Sequence, residues 1–128
     1  MVREVITTEK APKPVAPYSQ AIRCGGFLFV SGQLGIDAVT GKLVEGGFEE
    51  QARKALQNVE AILEAAGYSL QDVVKVNVYL KSSEYFKTLN KVYGEFFRDH
   101  KPSRTSVVAP PPLDEALVEI DVIAYREE

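Results

Sequence analysis

Arg104 has the clearest chemical potential of any residue in this chain. It follows Lys101-Pro102-Ser103, and the proline restricts the backbone just ahead of it, so the guanidinium enters on a defined path. A planar guanidinium holds a carboxylate through two parallel hydrogen bonds, a geometry that the point charge of lysine does not reproduce. Glu119 begins the polar row of the last alternating segment. If the segments carrying Arg104 and Glu119 are neighbouring strands, the acid and the guanidinium converge at one end of a sheet. Glu119 can then carry protons or orient a water. The alternative, on pattern alone, is an ordinary surface ion pair between the two.

Two further segments can contribute to a pocket. Ala16-Pro17-Tyr18-Ser19-Gln20 is a turn in which Tyr18 either presents its hydroxyl to a cleft or simply packs. Ser31-Gly32-Gln33 ends an apolar run, and a glycine there lets a ligand oxygen approach the backbone N–H closely; the other reading is a turn glycine with no ligand. His100 is the single histidine and Cys24 the single cysteine, too few soft ligands for a metal site. His100 sits where a helix should stop and is suited to its negative end, and Cys24 reads as a turn or buried residue. No serine–histidine–aspartate set is credible with this one histidine, and neither a Walker loop nor a GxGxxG loop is present.

The elements that must position these residues are legible. Apolar residues at helical spacing run from Phe48 to Ala66, with Glu49 and Glu50 in the first turn and Gly67 as a stop. A second apolar stripe runs from about Glu84 to Arg98, capped by Ser82 or Ser83 and limited by Pro102. Strands are expected at Val2 to Thr7, in a hairpin over residues 20–31, and at Val73 to Leu80, Arg104 to Ala109 and Leu117 to Tyr125. The order β-β-β-α-β-α-β-β predicts a single α+β domain: a mixed sheet with two helices on one face. Val74, Val76, Val78 and Leu80, with Val118, Ile120, Val122 and Ala124, are expected to face the helices. The opposite rows are half apolar, and no segment remains to cover them, so a second copy of the chain is the expected cover.

Composition narrows the function classes. A chain of 128 residues, 45% hydrophobic and 26% charged, suits one globular core. The net charge of −3, with basic residues scattered among acids, disfavours a nucleic-acid binder. No apolar run is long enough for a membrane span, and the N-terminal residues lack a signal core. With one cysteine, this fits a reducing, cytoplasmic setting.

Taken in order, several stretches resemble the RidA (YjgF) family of 2-iminobutanoate/2-iminopropanoate deaminases. They are APYSQA at 16–21, FVSGQLGID at 29–37, the helix FEEQARKALQNVEAILEAAG at 48–67, LNKVYGEFF at 89–97, KPSRTSV at 101–107 and VEIDVIA at 118–124. The resemblance implies a chorismate-mutase-like fold assembled as a homotrimer with clefts between subunits. It implies hydrolysis of reactive enamines and imines to 2-oxo acids and ammonia, without metal or cofactor. Arg104 would hold the substrate carboxylate, and Glu119 would position water and move protons. Tyr18, Ser31, Gly32 and Asn90 would line the cleft. The chain departs from the family at Ser106, where relatives commonly carry cysteine, so a cysteine at that position is not a required nucleophile here. Three other readings follow: a non-catalytic carboxylate-binding or regulatory module, an RNA-cleaving activity that the acidic balance opposes, and chorismate mutase on fold analogy alone.

Overall fold

The computed structural model describes residues 2–127. Its elements are β1 (Arg3–Ile6), β2 (Ala21–Cys24), β3 (Phe27–Gln33), α1 (Phe48–Ala65), β4 (Val73–Leu80), α2 (Phe86–Phe97), β5 (Ser103–Val108) and β6 (Val118–Tyr125). The six strands form one sheet in the order β1-β2-β3-β6-β4-β5. The β4–β5 pair is parallel, with α2 between the two strands in the chain, and the other pairs are antiparallel. The expected single α+β domain with a mixed sheet is the fold observed.

Apolar spacing makes α1 and α2. Ala52, Ala55, Leu56, Val59, Ile62 and Leu63 of α1 are buried, as are Leu89, Val92 and Phe97 of α2. They cluster with Leu28 and Val30 of β3, Val76, Val78 and Leu80 of β4, and Ile120 and Val122 of β6. Each large side chain so buried contributes roughly 1.5–3 kcal/mol. Gly67 ends α1 with φ 84, and Tyr68 N–H bonds back to the Leu63 carbonyl. Ser82 caps a short 3-10 turn, Ser83–Tyr85, that leads into α2.

Two local expectations change. Val74 does not join the helix-facing row. A bulge between Val73 and Lys75 buries Val73 and turns Val74 outward, so alternation restarts one residue later. His100 does not stand free at the end of α2: its Nε2 bonds the Val73 carbonyl at 2.8 Å and ties the helix exit to β4. Phe27 and Phe29, whose face the sequence leaves open, lie on the side away from the helices. With Tyr125 they form an aromatic cluster, Phe27 and Tyr125 having ring centroids 4.9 Å apart, and all three are more than two-fifths exposed.

Gly35, just past β3, lies against α1. A β-carbon there would sit 2.6 Å from the Gln51 Cα and 2.6 Å from its carbonyl oxygen, both backbone atoms that cannot yield without moving the helix. Gly35→Ala is expected to destabilise the fold by roughly 1–3 kcal/mol, as overpacking does. Chemical denaturation of the two proteins measures this.

Candidate functional site

Residues opposite one another in a parallel ladder share a face of the sheet. Arg104 pairs with Val76 and Ser106 with Val78, so both emerge on the helix face at the outer edge strand. There the Arg104 guanidinium carbon lies 4.7 Å from the Tyr93 ring centroid and 5.7 Å from that of Phe86. One nitrogen donates to Asn90 Oδ1 at 2.8 Å. Phe86, Asn90 and Tyr93 are successive residues on one side of α2, so the helix supplies both aromatic planes and the acceptor. Among the described residues no carboxylate lies within ion-pair distance of Arg104. The guanidinium is therefore oriented without being neutralised by a carboxylate among the described residues. The Ser106 hydroxyl and the Tyr93 hydroxyl are buried here without a hydrogen-bond partner among the described residues.

Glu119 belongs to a second cluster, on the opposite face. It alternates with the buried Val118 and Ile120 of β6 and projects toward β3. Between Val30 and Gln33 the β3–β6 register slips, and Gly32 sits in that bulge. A β-carbon at Gly32 would meet Glu119 Oε2 at 2.3 Å, so the carboxylate lies directly on the backbone that only glycine leaves open. Asp121, next on the same face, accepts from Asn77 Nδ2 and from Tyr79 Oη, both at 2.9 Å. Burial pushes the Glu119 carboxyl above its ordinary value, and the neighbouring Asp121 charge adds to the shift. The hydrogen bond to Asp121 likewise raises the Tyr79 phenol. Tyr18, Gly32 and Glu119 border a cavity of about 550 Å3.

The walls of that cavity hang on buried amides. Gln20, Gln33, Gln51 and Asn58 are the buried polar side chains among the described residues. Gln20 accepts from Thr8 N–H at 2.7 Å and donates to the Thr8 and Pro12 carbonyls, both at 3.0 Å. Gln51 accepts from Leu117 N–H at 2.8 Å and donates to the Glu115 carbonyl at 3.2 Å. Asn58 donates to the Leu34 and Ile36 carbonyls. Gln20 and Asn58 thus hold backbone that borders the cavity at Pro12, Leu34 and Ile36, and buried amides of this kind are paired as expected. The sequence carries a signal for two of them: Gln51 and Asn58 fall on the apolar stripe of α1, where a polar residue needs a partner.

The candidate residues therefore divide into two groups. Tyr18, Gly32 and Glu119 share the cavity, while Arg104, Asn90 and Ser106 share the helix face of β5. Ser31 supports the first group, donating its hydroxyl to the Ser19 carbonyl at 2.6 Å and so fixing the turn that carries Tyr18. The expected convergence of Arg104 and Glu119 at one end of the sheet does not occur within one chain. β4 separates their strands, and the side chains leave the sheet on opposite sides. The alternative of a surface ion pair between them fails for the same reason. Among the described residues no cluster of three or more His, Cys, Asp or Glu residues could hold a metal ion. No helix in that span is long and apolar enough to cross a membrane.

Comparison with known proteins places this arrangement among relatives. The model of the family described as Endoribonuclease L-PSP matches residues 8–126. A RutC family protein of Pyrococcus horikoshii is 52% identical, covering 98% of this chain and 100% of the relative. A protein of Bos taurus named 2-iminobutanoate/2-iminopropanoate deaminase is 41% identical, covering 98% of this chain and 92% of the relative. The crystal structure of RidA from an Antarctic Psychrobacter superposes with a TM-score of 0.92 at 42% identity, covering 96% of this chain and 99% of that one.

Replacing Gln51 by leucine strands the Leu117 N–H and the Glu115 carbonyl at the entrance to β6. Gln51→Leu is expected to lower the unfolding free energy by roughly 2 kcal/mol, read from the midpoint and slope of urea denaturation.

Proposed function

The chain belongs to the endoribonuclease L-PSP family, which includes the RidA, YjgF and RutC proteins, and we propose that it is a deaminase hydrolysing 2-imino acids and their enamine tautomers to 2-oxo acids and ammonia. The observation that carries this reading is the pair of half-sites. One copy offers an oriented guanidinium without a counter-ion, and another offers a partly buried carboxyl of raised pKa beside a cavity. The half-apolar open face, with its aromatic cluster, supports copies associating through it, and a homotrimer is the assembly proposed. Association would bring Arg104 of one protomer to the Glu119 cavity of its neighbour.

The chemistry follows from the groups. Arg104, with Asn90 beside it, holds the substrate carboxylate through parallel N–H donors. Glu119 takes a proton from water as its oxygen adds to the imine carbon, and the nitrogen takes up a proton. The carbinolamine then collapses: protonated Glu119 gives its proton to the nitrogen, the C–N bond breaks as the carbonyl forms, and the hydroxyl proton is lost to solvent, releasing ammonia and the 2-oxo acid with Glu119 again ionised. An enamine such as 2-aminoacrylate first takes a proton at its terminal carbon. Imine hydrolysis has a modest barrier, so orientation and proton transfer by two side chains suffice. Because Glu119 and Asp121 lie together on the open face of a chain of net charge −3, the same surface repels the phosphates that an RNA-cleaving reading requires.

Coupling the protein to a dehydratase that releases 2-aminoacrylate is expected to accelerate pyruvate and ammonia formation over buffer. Arg104→Ala is expected to lower kcat/KM roughly 100-fold, the scale of loss when a substrate is misplaced. A wild-type rate equal to buffer, or an unimpaired Arg104→Ala protein, would overturn the reading, whereas binding of 2-oxo acids without turnover would leave a carboxylate-binding module.

The pH profile gives a second check. A base must be ionised to act, so activity should fall as pH drops through the Glu119 pKa, above the ordinary carboxylate range. Burial, the larger cause, remains in Asp121→Asn, but the repelling charge goes. The acid limb of kcat/KM should move to lower pH in that variant, and an unmoved limb would remove Glu119 as the base.

A further inference from the structure

On the helix layer, apart from both half-sites, a cavity of about 310 Å3 lies between α1, α2 and the 3-10 turn Leu70–Asp72. Glu60 of α1 and Arg98 at the exit of α2 border it, and Leu70 and Phe96, both packed against the core, give it an apolar side. Phe86, Asn90 and Tyr93 mark the Arg104 side of α2. Glu95, which also borders the cavity, comes two residues after Tyr93 and so lies roughly 200° further round the helix axis. The contacts proposed between copies use the open face of the sheet and the Arg104 side of α2, and they leave this cavity uncovered.

Two opposite charges are held apart across it. Burial raises the pKa of the Glu60 carboxyl, the neighbouring Glu64 charge adds to the rise, and the Arg98 charge offsets it only in part. Among the described residues neither Glu60 nor Arg98 has an ion-pair partner. Glu95 is already engaged by Arg53 at 3.1 Å.

The backbone at Arg98 is strained. It is the one non-glycine residue with positive φ among the described residues, at φ 59 and ψ −121, a conformation that a β-carbon makes costly. Its neighbours impose that turn. Arg98 N–H bonds the Gly94 carbonyl at 2.9 Å, His100 N–H bonds the Phe97 carbonyl at 3.2 Å, and the His100 ring is tied to the Val73 carbonyl. Glycine suits such a turn better; what arginine adds is a guanidinium at the rim of the cavity.

We infer that this cavity binds a free α-amino acid with an apolar side chain, its carboxylate on Arg98, its ammonium on Glu60 and its side chain against Leu70 and Phe96. The guanidinium presents parallel donors to a carboxylate, and an ammonium brings three donors to an acid that lacks a cation. A zwitterion meets both charges at once, which a simple acid or a simple amine does not. The inference stands apart from the deaminase reading and survives its failure.

The test titrates L-leucine into the unsubstituted protein and follows backbone amide resonances. Saturable shifts are expected at Glu60, at Leu70 and Gln71, and from Phe96 to Arg98. They should persist in Arg104→Ala, which separates this site from carboxylate binding at Arg104. Affinity should fall by about 10-fold or more in Arg98→Gly and in Glu60→Gln, the scale of a lost hydrogen bond to a charged group. Arg98→Gly suits the backbone of that turn, so its loss of binding is not a loss of folding. 4-Methylpentanoate and 3-methylbutylamine, each carrying one of the two charges, should bind about 10-fold more weakly than leucine. Leucine shifts absent from these residues or lost in Arg104→Ala, unchanged affinity in Arg98→Gly or Glu60→Gln, or a one-charge analogue binding as well as leucine would each overturn the inference.

Discussion

Side chains on a strand alternate between the two faces of its sheet, and this sets the terms for the whole molecule. Arg104 shares its face with Val76, against the helices; Glu119 shares the other with Asp121. With β4 between their strands, no rotamer change brings them together inside one chain. If the proposed chemistry uses both residues, the site has to be assembled from more than one copy. Assembly and activity then become one property of the sheet.

Each half-site is prepared in its own way. The parallel β4–β5 register delivers Arg104 to α2, whose Phe86, Asn90 and Tyr93 orient the guanidinium without neutralising it. A carboxylate in their place would have neutralised the guanidinium. On the other side, the Gly32 bulge lets Glu119 lie on bare backbone, and Gln20, Gln51 and Asn58 reach out of the core to hold the surrounding loops. Leucine in their place would fill the same core but leave the loop backbone unpaired. The polar residues of the core therefore serve the site as much as the fold.

Much of this architecture is legible in the sequence because period alone separates helix from strand. The α1 and α2 stripes and the alternation of β6 give element types, their order and the single α+β domain. What period does not encode is strand order, and that order decides whether Arg104 and Glu119 can meet. It does not encode bulges either: one extra residue at Val74 changes which valine of β4 is buried, and the slip at Gly32 places that glycine against the acid. The candidate site residues were recognisable by type and by family resemblance. Their division between two faces was not, since it depends on pairing between strands far apart in the chain. The supporting amides had a visible sign in α1, a glutamine and an asparagine on an otherwise apolar stripe, but their partners are loop carbonyls that no local pattern identifies.

The central claim, that Arg104 and Glu119 act across a boundary between copies, is tested by mixing. Arg104→Ala and Glu119→Gln proteins, each expected to be strongly impaired, would be unfolded together, refolded in equal amounts and assayed for imine hydrolysis. In any closed ring with random placement, about a quarter of the boundaries pair an intact arginine with an intact glutamate. Recovery to about that fraction of the wild-type rate is the predicted result. A co-assembled mixture no more active than its parents would show that the two residues do not serve a shared site.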